Sequence, residues 1–367
     1  MRLVTALSMA LTALALVACN HGKGNATPVG HSNDSVAQAP APATTPDTLT
    51  LALVGDIMMG TTYPTTRFAA NDGRDIFLGA DSVLRAADLA CGNLEGALAD
   101  SGKPRKTLGA KNSFSFMMPT RLVQRLVDAG IDFVNIANNH IYDFWDDGVK
   151  STMRTLDNAG IAYSGNPKCR GVIKQVRGMR VGLCSFGHSR GTLNLNDSAL
   201  VHSIIDSLHR NADVVVVSFH GGCEGAAACH VPNKMEIAWG EKRGHLRKFA
   251  HDCIDWGADV VWGHGPHVAR AMESYKGRVI AYSLGNFCTP VGMGLNGVTS
   301  YAPLLALRLL PSGEVIDGHI HGFIQQRGVG PRRDHTGTVV REIARLTRED
   351  FPSTTLKIAP DGAISIK

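Results

Sequence analysis

Ile131-Asp132-Phe133-Val134-Asn135-Ile136-Ala137-Asn138-Asn139-His140 decides how this chain is read. The stretch starts as an apolar, β-branched run suited to a buried strand. It ends in three polar side chains able to coordinate or hydrogen-bond a ligand. Gly130 precedes it as a helix C′ residue would, and Asp143 follows three residues after the histidine. In a parallel α/β sheet, ligands collect outside the carboxyl ends of the strands. The fold and the function therefore turn on whether other strands end in the same way.

Working outward, Leu122, Val123, Leu126 and Val127 have helical spacing just before the stretch. Val149, Met153 and Leu156 make one face of a second helix over 146–160, and Ile161-Ala162-Tyr163 reads as a short strand. The alternation continues in both directions. Residues 49–54, 86–91, 180–186, 213–219, 259–262 and 279–284 read as strands, and 198–211 and 241–256 as helices. Strands this continuously apolar predict a largely parallel or mixed sheet covered on both faces. After Leu304 the pattern becomes a hairpin, 304–310 and 315–324 around Pro311-Ser312-Gly313, extending a sheet edge. A helix over 339–346 and a strand pair around Leu356 and Ile364 complete the chain.

Hydrophobic residues make up 44% of the 367 and charged residues 19%, enough for one large α/β domain with extensions. The net charge of +5 is scattered, with no basic stripe interleaved with aromatics, which argues against nucleic acid as a partner. Met1-Arg2 followed by the apolar run 3–17 has the form of a signal peptide, and Leu16-Val17-Ala18-Cys19 matches a lipobox. Residues 1–19 are thus expected to be a lipoprotein signal peptide, with Cys19 lipidated and the membrane a partner through that anchor. Residues 20–47, rich in Gly, Asn, Ser, Ala, Pro and Thr, read as a flexible tether. The expected address is the cell envelope, at the outer membrane or extracytoplasmic face. There, Cys223 and Cys229, flanking a loop of small residues, are the candidate disulfide.

The strand ends carry Asp56, then Asn93 and Glu95, Asn139 and His140, His220, His264 and His267, and Asn286. Carboxylate, amide and imidazole donors arriving on several loops at one sheet edge suit a one- or two-metal hydrolytic site. Divalent ions take carboxylates and neutral imidazoles and lower the pKa of water, while a nearby histidine can protonate a leaving group.

These residues carry a family resemblance. The chain resembles the poly-γ-glutamate capsule-synthesis (CapA) family, a branch of the calcineurin-like metallophosphoesterase superfamily. The carriers are Val54-Gly55-Asp56-Ile57-Met58, Gly92-Asn93-Leu94-Glu95-Gly96, Ala137-Asn138-Asn139-His140 with Asp143, and His220-Gly221. The block from Gly257 to Val268 and Tyr282-Ser283-Leu284-Gly285-Asn286-Phe287 complete it. The resemblance implies a four-layer α/β sandwich over 48–310, with 311–367 an extension packed on the same domain. It implies Asp56, Glu95, Asn139, His220, His264 and His267 as ligands of one or two divalent ions (Mn, Zn or Fe). It further implies His140, with Asp143, as the leaving-group acid or a phosphate-binding histidine, and Asn93, Asn138 and Asn286 as substrate-binding.

Departures from the superfamily pattern bear on the metal count. Met58 stands where a histidine is usual, Glu95 where an aspartate bridges, and Gly265 where a further histidine often stands. Two functions follow as expectations. One is an envelope-anchored, metal-dependent hydrolase of phosphoesterase type, working with capsule-synthesis machinery on a phosphoester or on the polymer. The other is a non-catalytic factor that binds or exports an anionic envelope polymer.

Overall fold

The computed structural model describes residues 48–106 and 114–367. The signal peptide, Cys19 and the tether therefore lie outside the described residues. The chain first lays down β1 (Leu49–Ile57), α1 (Asp81–Ala86), β2 (Leu89–Leu94), α2 (Val123–Ala129), β3 (Phe133–Asn135), α3 (Trp145–Ala159) and β4 (Ala162–Ser164). Its middle forms β5 (Val172–Val176), β6 (Met179–Gly187), α4 (Ser198–Asn211), β7 (Val214–His220), α5 (Leu246–Asp255), β8 (Val260–His264), β9 (Met272–Tyr275) and β10 (Arg278–Ala281). It ends with β11 (Asn286–Cys288), β12 (Leu304–Leu309), β13 (Val315–His321), α6 (Thr338–Asp350), β14 (Leu356–Ile358) and β15 (Ala363–Ile366).

Two sheets result. The first has nine strands in the order β14-β15-β13-β12-β1-β2-β3-β4, with β11 also paired to β1. The second has six, in the order β9-β10-β8-β7-β6-β5. The pairs β1–β2, β2–β3, β6–β7 and β7–β8 are parallel, while β12, β13 and β15 add antiparallel ladders.

Strand parity sets the layers, because successive side chains leave a strand on opposite faces. Leu49, Leu51 and Leu53 of β1 share one core with Val214 and Val216 of β7 and Val260 and Trp262 of β8, which places this core between the sheets. Ala52 and Val54 face the other way, onto Leu84, Leu126 and Leu156 of the first three helices. Val215 and Val217 likewise face Ile205 of α4 and Phe249 of α5. Helices, sheet, sheet, helices is the four-layer sandwich that the resemblance implied. Gly130 and Gly160 end α2 and α3 at φ of 81° and 71°, a left-handed conformation that favours glycine.

Several elements differ from the sequence reading. The helix expected over 241–256 is α5 alone. Glu241–Gly244 instead pairs with Glu236–Ala238 in a hairpin, and the helix starts only where His245 accepts a hydrogen bond from the Lys248 amide. Gly244, at φ of 108°, breaks the run between them. The strand expected over 315–324 stops at His321, and Phe323–Gln326 turns into a separate hairpin with Gly330–Arg333. Residues 311–367 supply β13, β14 and β15 to the first sheet, and α6 buries Val339, Val340 and Ile343 in the core between the sheets. Cys223 and Cys229 are not joined. The Cys223 thiol lies against the Ile237 carbonyl at 3.6 Å and the Cys229 thiol against that of Ala226 at 3.1 Å, so each has a separate partner.

Candidate metal centre

Parallel pairing brings the strand ends level. Asp56 at the end of β1 stands opposite Asn93 of β2 and Asn286 of β11, and His220 of β7 stands opposite His264 of β8. The two sheets then meet at this edge. His267 Nδ1 lies 2.8 Å from Asp56 Oδ2, and His220 Nδ1 lies 3.4 Å from Glu95 Oε2. Donor atoms of Asp56, Glu95 and His220 all fall within 4.8 Å of one another.

The asparagines hold this group in place. Asn93 Nδ2 donates to Asp56 Oδ1 (2.7 Å) and to Glu95 Oε2 (2.5 Å). Asn138 Nδ2 donates to Asn93 Oδ1 (3.1 Å) and to the Leu94 carbonyl (2.7 Å), while its Oδ1 accepts from the His140 amide. Asn286 Nδ2 donates to the carbonyls of His267 and Thr299. Asn93, Asn138 and Asn286, expected as substrate-binding, make buried internal bonds through their amide nitrogens, which orient the carboxylates and hold the His267 turn. That turn is strained, with His267 at φ of 58°. A side chain at Gly265 is excluded, since φ is 116° and a Cβ would stand 2.6 Å from the Gly221 carbonyl oxygen. This accounts for the glycine where the family pattern often has a histidine.

The residues fit a divalent cation. Glu95 Oε1, Asn139 Oδ1, His264 Nδ1 and both ring nitrogens of His220 are buried with no hydrogen-bond partner. Buried polar atoms are rarely left so. Such an ion takes the lone pairs of oxygen and neutral imidazole, one nitrogen of each ring, and displaces the proton that burial leaves on a carboxyl. Burial, reinforced by Asp56, pushes the Glu95 carboxyl up to about 8. Burial pulls His264 down to about 4 and, with the neighbouring His188 and His267, sets His220 well below the ordinary imidazole range. Burial also opposes the charge on His267, but the bond to Asp56 and its charge outweigh it and raise that ring to about 9. Met58 is fully buried in the apolar core, against Gly292, so no imidazole stands at that position.

Beside this group sits a dyad. His140 Nδ1 lies 2.7 Å from Asp143 Oδ2, and Lys106 Nζ lies 2.7 Å from Asp143 Oδ1. Burial would raise the Asp143 carboxyl, but His140 and Lys106 hold it below its ordinary value. An ionised Asp143 accepts a hydrogen bond from Nδ1–H and leaves Nε2 as the working nitrogen, 3.9 Å from Glu95 Oε1. Burial lowers the His140 ring itself, against the pull of Asp143.

Three contributors were not read from the sequence. Lys106 lies in a loop with no periodic signal. His188 stacks on His220 with centroids 5.8 Å apart and was findable, because it follows β6 just as His220 ends β7. Ser218, which contacts His264, interrupts the apolar run of β7.

Residues 50–290 match the family described as bacterial capsule synthesis protein PGA_cap. The chain belongs to this family. Similar proteins include the capsule biosynthesis protein CapA of Bacillus anthracis, 30% identical over 65% of this chain and 59% of that protein. The PGA biosynthesis protein CapA of Bacillus subtilis is 29% identical over 66% of this chain and 63% of its own length. The chain thus spans less than two thirds of either relative. Among solved structures, the calcineurin-like phosphoesterase YfkN from Bacillus subtilis is similar at 13% identity and a TM-score of 0.44, over 83% of this chain and 98% of that one.

Proposed function

We propose that this PGA_cap protein is a metal-dependent hydrolase of phosphoesterase type in capsule or poly-γ-glutamate biosynthesis. It would act at the cell envelope, tethered through residues 20–47 and a lipid on Cys19. The observation that carries the reading is the convergence of Asp56, Glu95 and His220 with their unshared donor atoms. Asp56, Glu95, Asn139, His220, His264 and His267 would hold the cation. When bound, such a cation supplies Lewis acidity and lowers the pKa of water.

The chain's own residues then divide the work. Asn93 and Asn138 keep the carboxylates from turning away, and Asn286 holds the His267 backbone. Asp143 and Lys106 hold His140 so that Nε2 takes a proton from the attacking water, forming an imidazolium that Asp143 stabilises, and passes that proton to the leaving group. The test is to purify the chain, measure bound Mn, Zn and Fe, and follow hydrolysis of phosphomonoesters, phosphodiesters and poly-γ-glutamate. Absence of both bound metal and metal-stimulated turnover overturns the proposal.

A second reading, a factor that binds or exports an anionic polymer without turnover, is favoured by one observation. Met58 fills a ligand position with a thioether in the apolar core. Salt-sensitive retention on polyglutamate, without hydrolysis, would support it.

A further inference from the structure

The hairpin that leads from β7 to α5 ends in an apolar tip that the rest of the chain does not cover. Its strands are Glu236–Ala238 and Glu241–Gly244, and Trp239-Gly240 is the loop between them. Ile237 and Trp239 are each 60% exposed, more than any other large apolar side chain among the described residues except Leu78. Trp239 and Gly240 have φ of 50° and 78°. A two-residue turn of that hand suits asparagine, aspartate or glycine at its first position, so a tryptophan there is strained. A Cβ at Gly240 would meet nothing within 4 Å, which leaves the tip standing clear of the body.

The base of the hairpin is the opposite of its tip. Both carboxylate oxygens of Glu236 accept from Arg270 at 2.9 Å, and this pair is almost fully buried. The Cys223 amide donates to the same carboxylate (2.9 Å), and the Gly222 amide to the Arg243 carbonyl (2.8 Å). The Arg243 guanidinium carbon, itself buried, lies 4.6 Å from the centre of the Trp239 ring. An exposed aromatic on a base this firmly held makes a contact with little left to order.

Charge is sorted around the tip. Ile237 pairs with Lys242 and Ala238 with Glu241, and residues directly opposite share a face. Lys242 therefore flanks Ile237, and Lys234, also exposed, stands just before the hairpin. The two acidic residues turn elsewhere. Glu236 is taken by Arg270, and Glu241 lies 3.1 Å from Arg243 and 3.4 Å from His188.

We propose that this tip seats in the interface of a bilayer carrying anionic lipid, with Trp239 and Ile237 at the acyl boundary and Lys234 and Lys242 on the headgroups. Tryptophan has an apolar body with one polar N–H, and lysine an apolar stem with a charged head; both settle at such a boundary. Two exposed side chains offer on the order of 200 Å2, against the roughly 800 Å2 per partner of a stable protein contact. A soluble polyanion would serve the lysines and leave the apolar pair in water. The contact is additional to the lipid proposed for Cys19 and does not depend on it. Because Glu241 reaches His188, which stacks on His220, a seated tip holds the candidate metal centre near the lipid surface.

The experiment uses the full chain with Cys19→Ser, so that no lipid is attached, and vesicles of phosphatidylcholine with or without phosphatidylglycerol. Residues 3–17 are themselves apolar, so the readout is local. Brominated acyl chains quench a nearby indole, and Trp145→Phe removes the other well-exposed one. The expected result is quenching on the anionic vesicles that disappears in Trp239→Phe. Lys234→Gln with Lys242→Gln should weaken the binding roughly 30-fold. Quenching that is absent, or unchanged by Trp239→Phe, overturns the proposal, as does equal binding to neutral vesicles. Self-association without lipid that Trp239→Ala abolishes overturns it in favour of a second copy of the chain. Retention on polyglutamate that needs the lysines, without quenching on vesicles, overturns it in favour of a polymer. None of these readouts uses metal or turnover, so the proposed hydrolase stands or falls separately.

Discussion

In the proposed centre, the first sheet carries the oxygen donors, Asp56, Glu95 and Asn139, whereas the second carries the nitrogen donors, His220, His264 and His267. Asp56, Glu95, His220 and His264 are fully buried, Asn139 and His267 partly so, and burial acts on the two sets in opposite ways. A neutral imidazole tolerates an apolar setting, and burial keeps His220 and His264 in that neutral form. A carboxylate does not, and Glu95 beside Asp56 is driven toward protonation at about 8. His220 and His264 are therefore ready for a cation without adjustment, while Glu95 on the oxygen side and His267 on the nitrogen side must each shed a proton to take one. His140 is the exception in place and in role. It is an imidazole on the oxygen side, tied to Asp143 rather than left free.

If that division is right, removing His140 separates chemistry from binding. His140→Ala is expected to lower turnover by about 10²–10⁴-fold, the usual span for general acid–base groups. Cation affinity, read by Mn2+ titration, should stay within a few-fold. A parallel loss of both would show that His140 belongs with the ligands and would break the comparison.

Removing a donor from either side should weaken the cation. His220→Ala and Asp56→Ala are each expected to cost at least the roughly 100-fold that marks the upper range for supporting residues. The two sides should differ once metal is removed. Glu95→Gln is expected to stabilise the metal-free protein at pH 9 by on the order of 3 kcal/mol, because it deletes a carboxylate that burial disfavours. His220→Ala should stabilise nothing. Chemical denaturation with and without chelator checks both.

The gentlest test is pH. Glu95 and His267 both bind protons more tightly folded than unfolded, at about 8 and about 9 against 4.5 and 6.5. Their contributions are fully present below the unfolded values and are lost as pH rises through the folded ones. His264, lowered to about 4, acts in the opposite sense, but only below 6.5. The melting temperature of metal-free protein should therefore fall between pH 6.5 and 9. Saturating Mn2+ should flatten the decline, and adding Mn2+ at pH 7 to weakly buffered protein should release protons. A melting temperature that is flat without metal would remove the buried protons assigned to Glu95 and His267.

Much of the fold was legible because its central strands are buried on both faces and α2 and α3 end at glycine. The runs that became β7 and β8 and the helix that became α4 stand out by apolar content and period alone. What escaped was structure whose pattern is local or mixed. β5 alternates half-buried and exposed residues, and the Glu236–Gly244 hairpin carries charges that read as helix surface. The ring of donors could be collected from strand ends, because parallel sheets gather them there. The supporting bonds could not. Lys106 reaches Asp143 from a loop, and Ser218 meets Asn135 across a gap of 83 residues that no sequence period records.

β1 carries Asp56, yet the strand that closes its edge along Leu49–Val54 is β12, which begins at Leu304. Nearly the whole chain must be made before that pairing forms. Until then the central strand keeps a bare row of amides and carbonyls, the sort of surface that recruits wrong neighbours. A chain ended where the family match ends, at residue 290, would hold every donor of the centre and still lack β12, β13, β14, β15 and α6. Such a chain is expected to aggregate, although no residue of its chemistry is missing. The closing residues act as a latch, set last and holding the first strand.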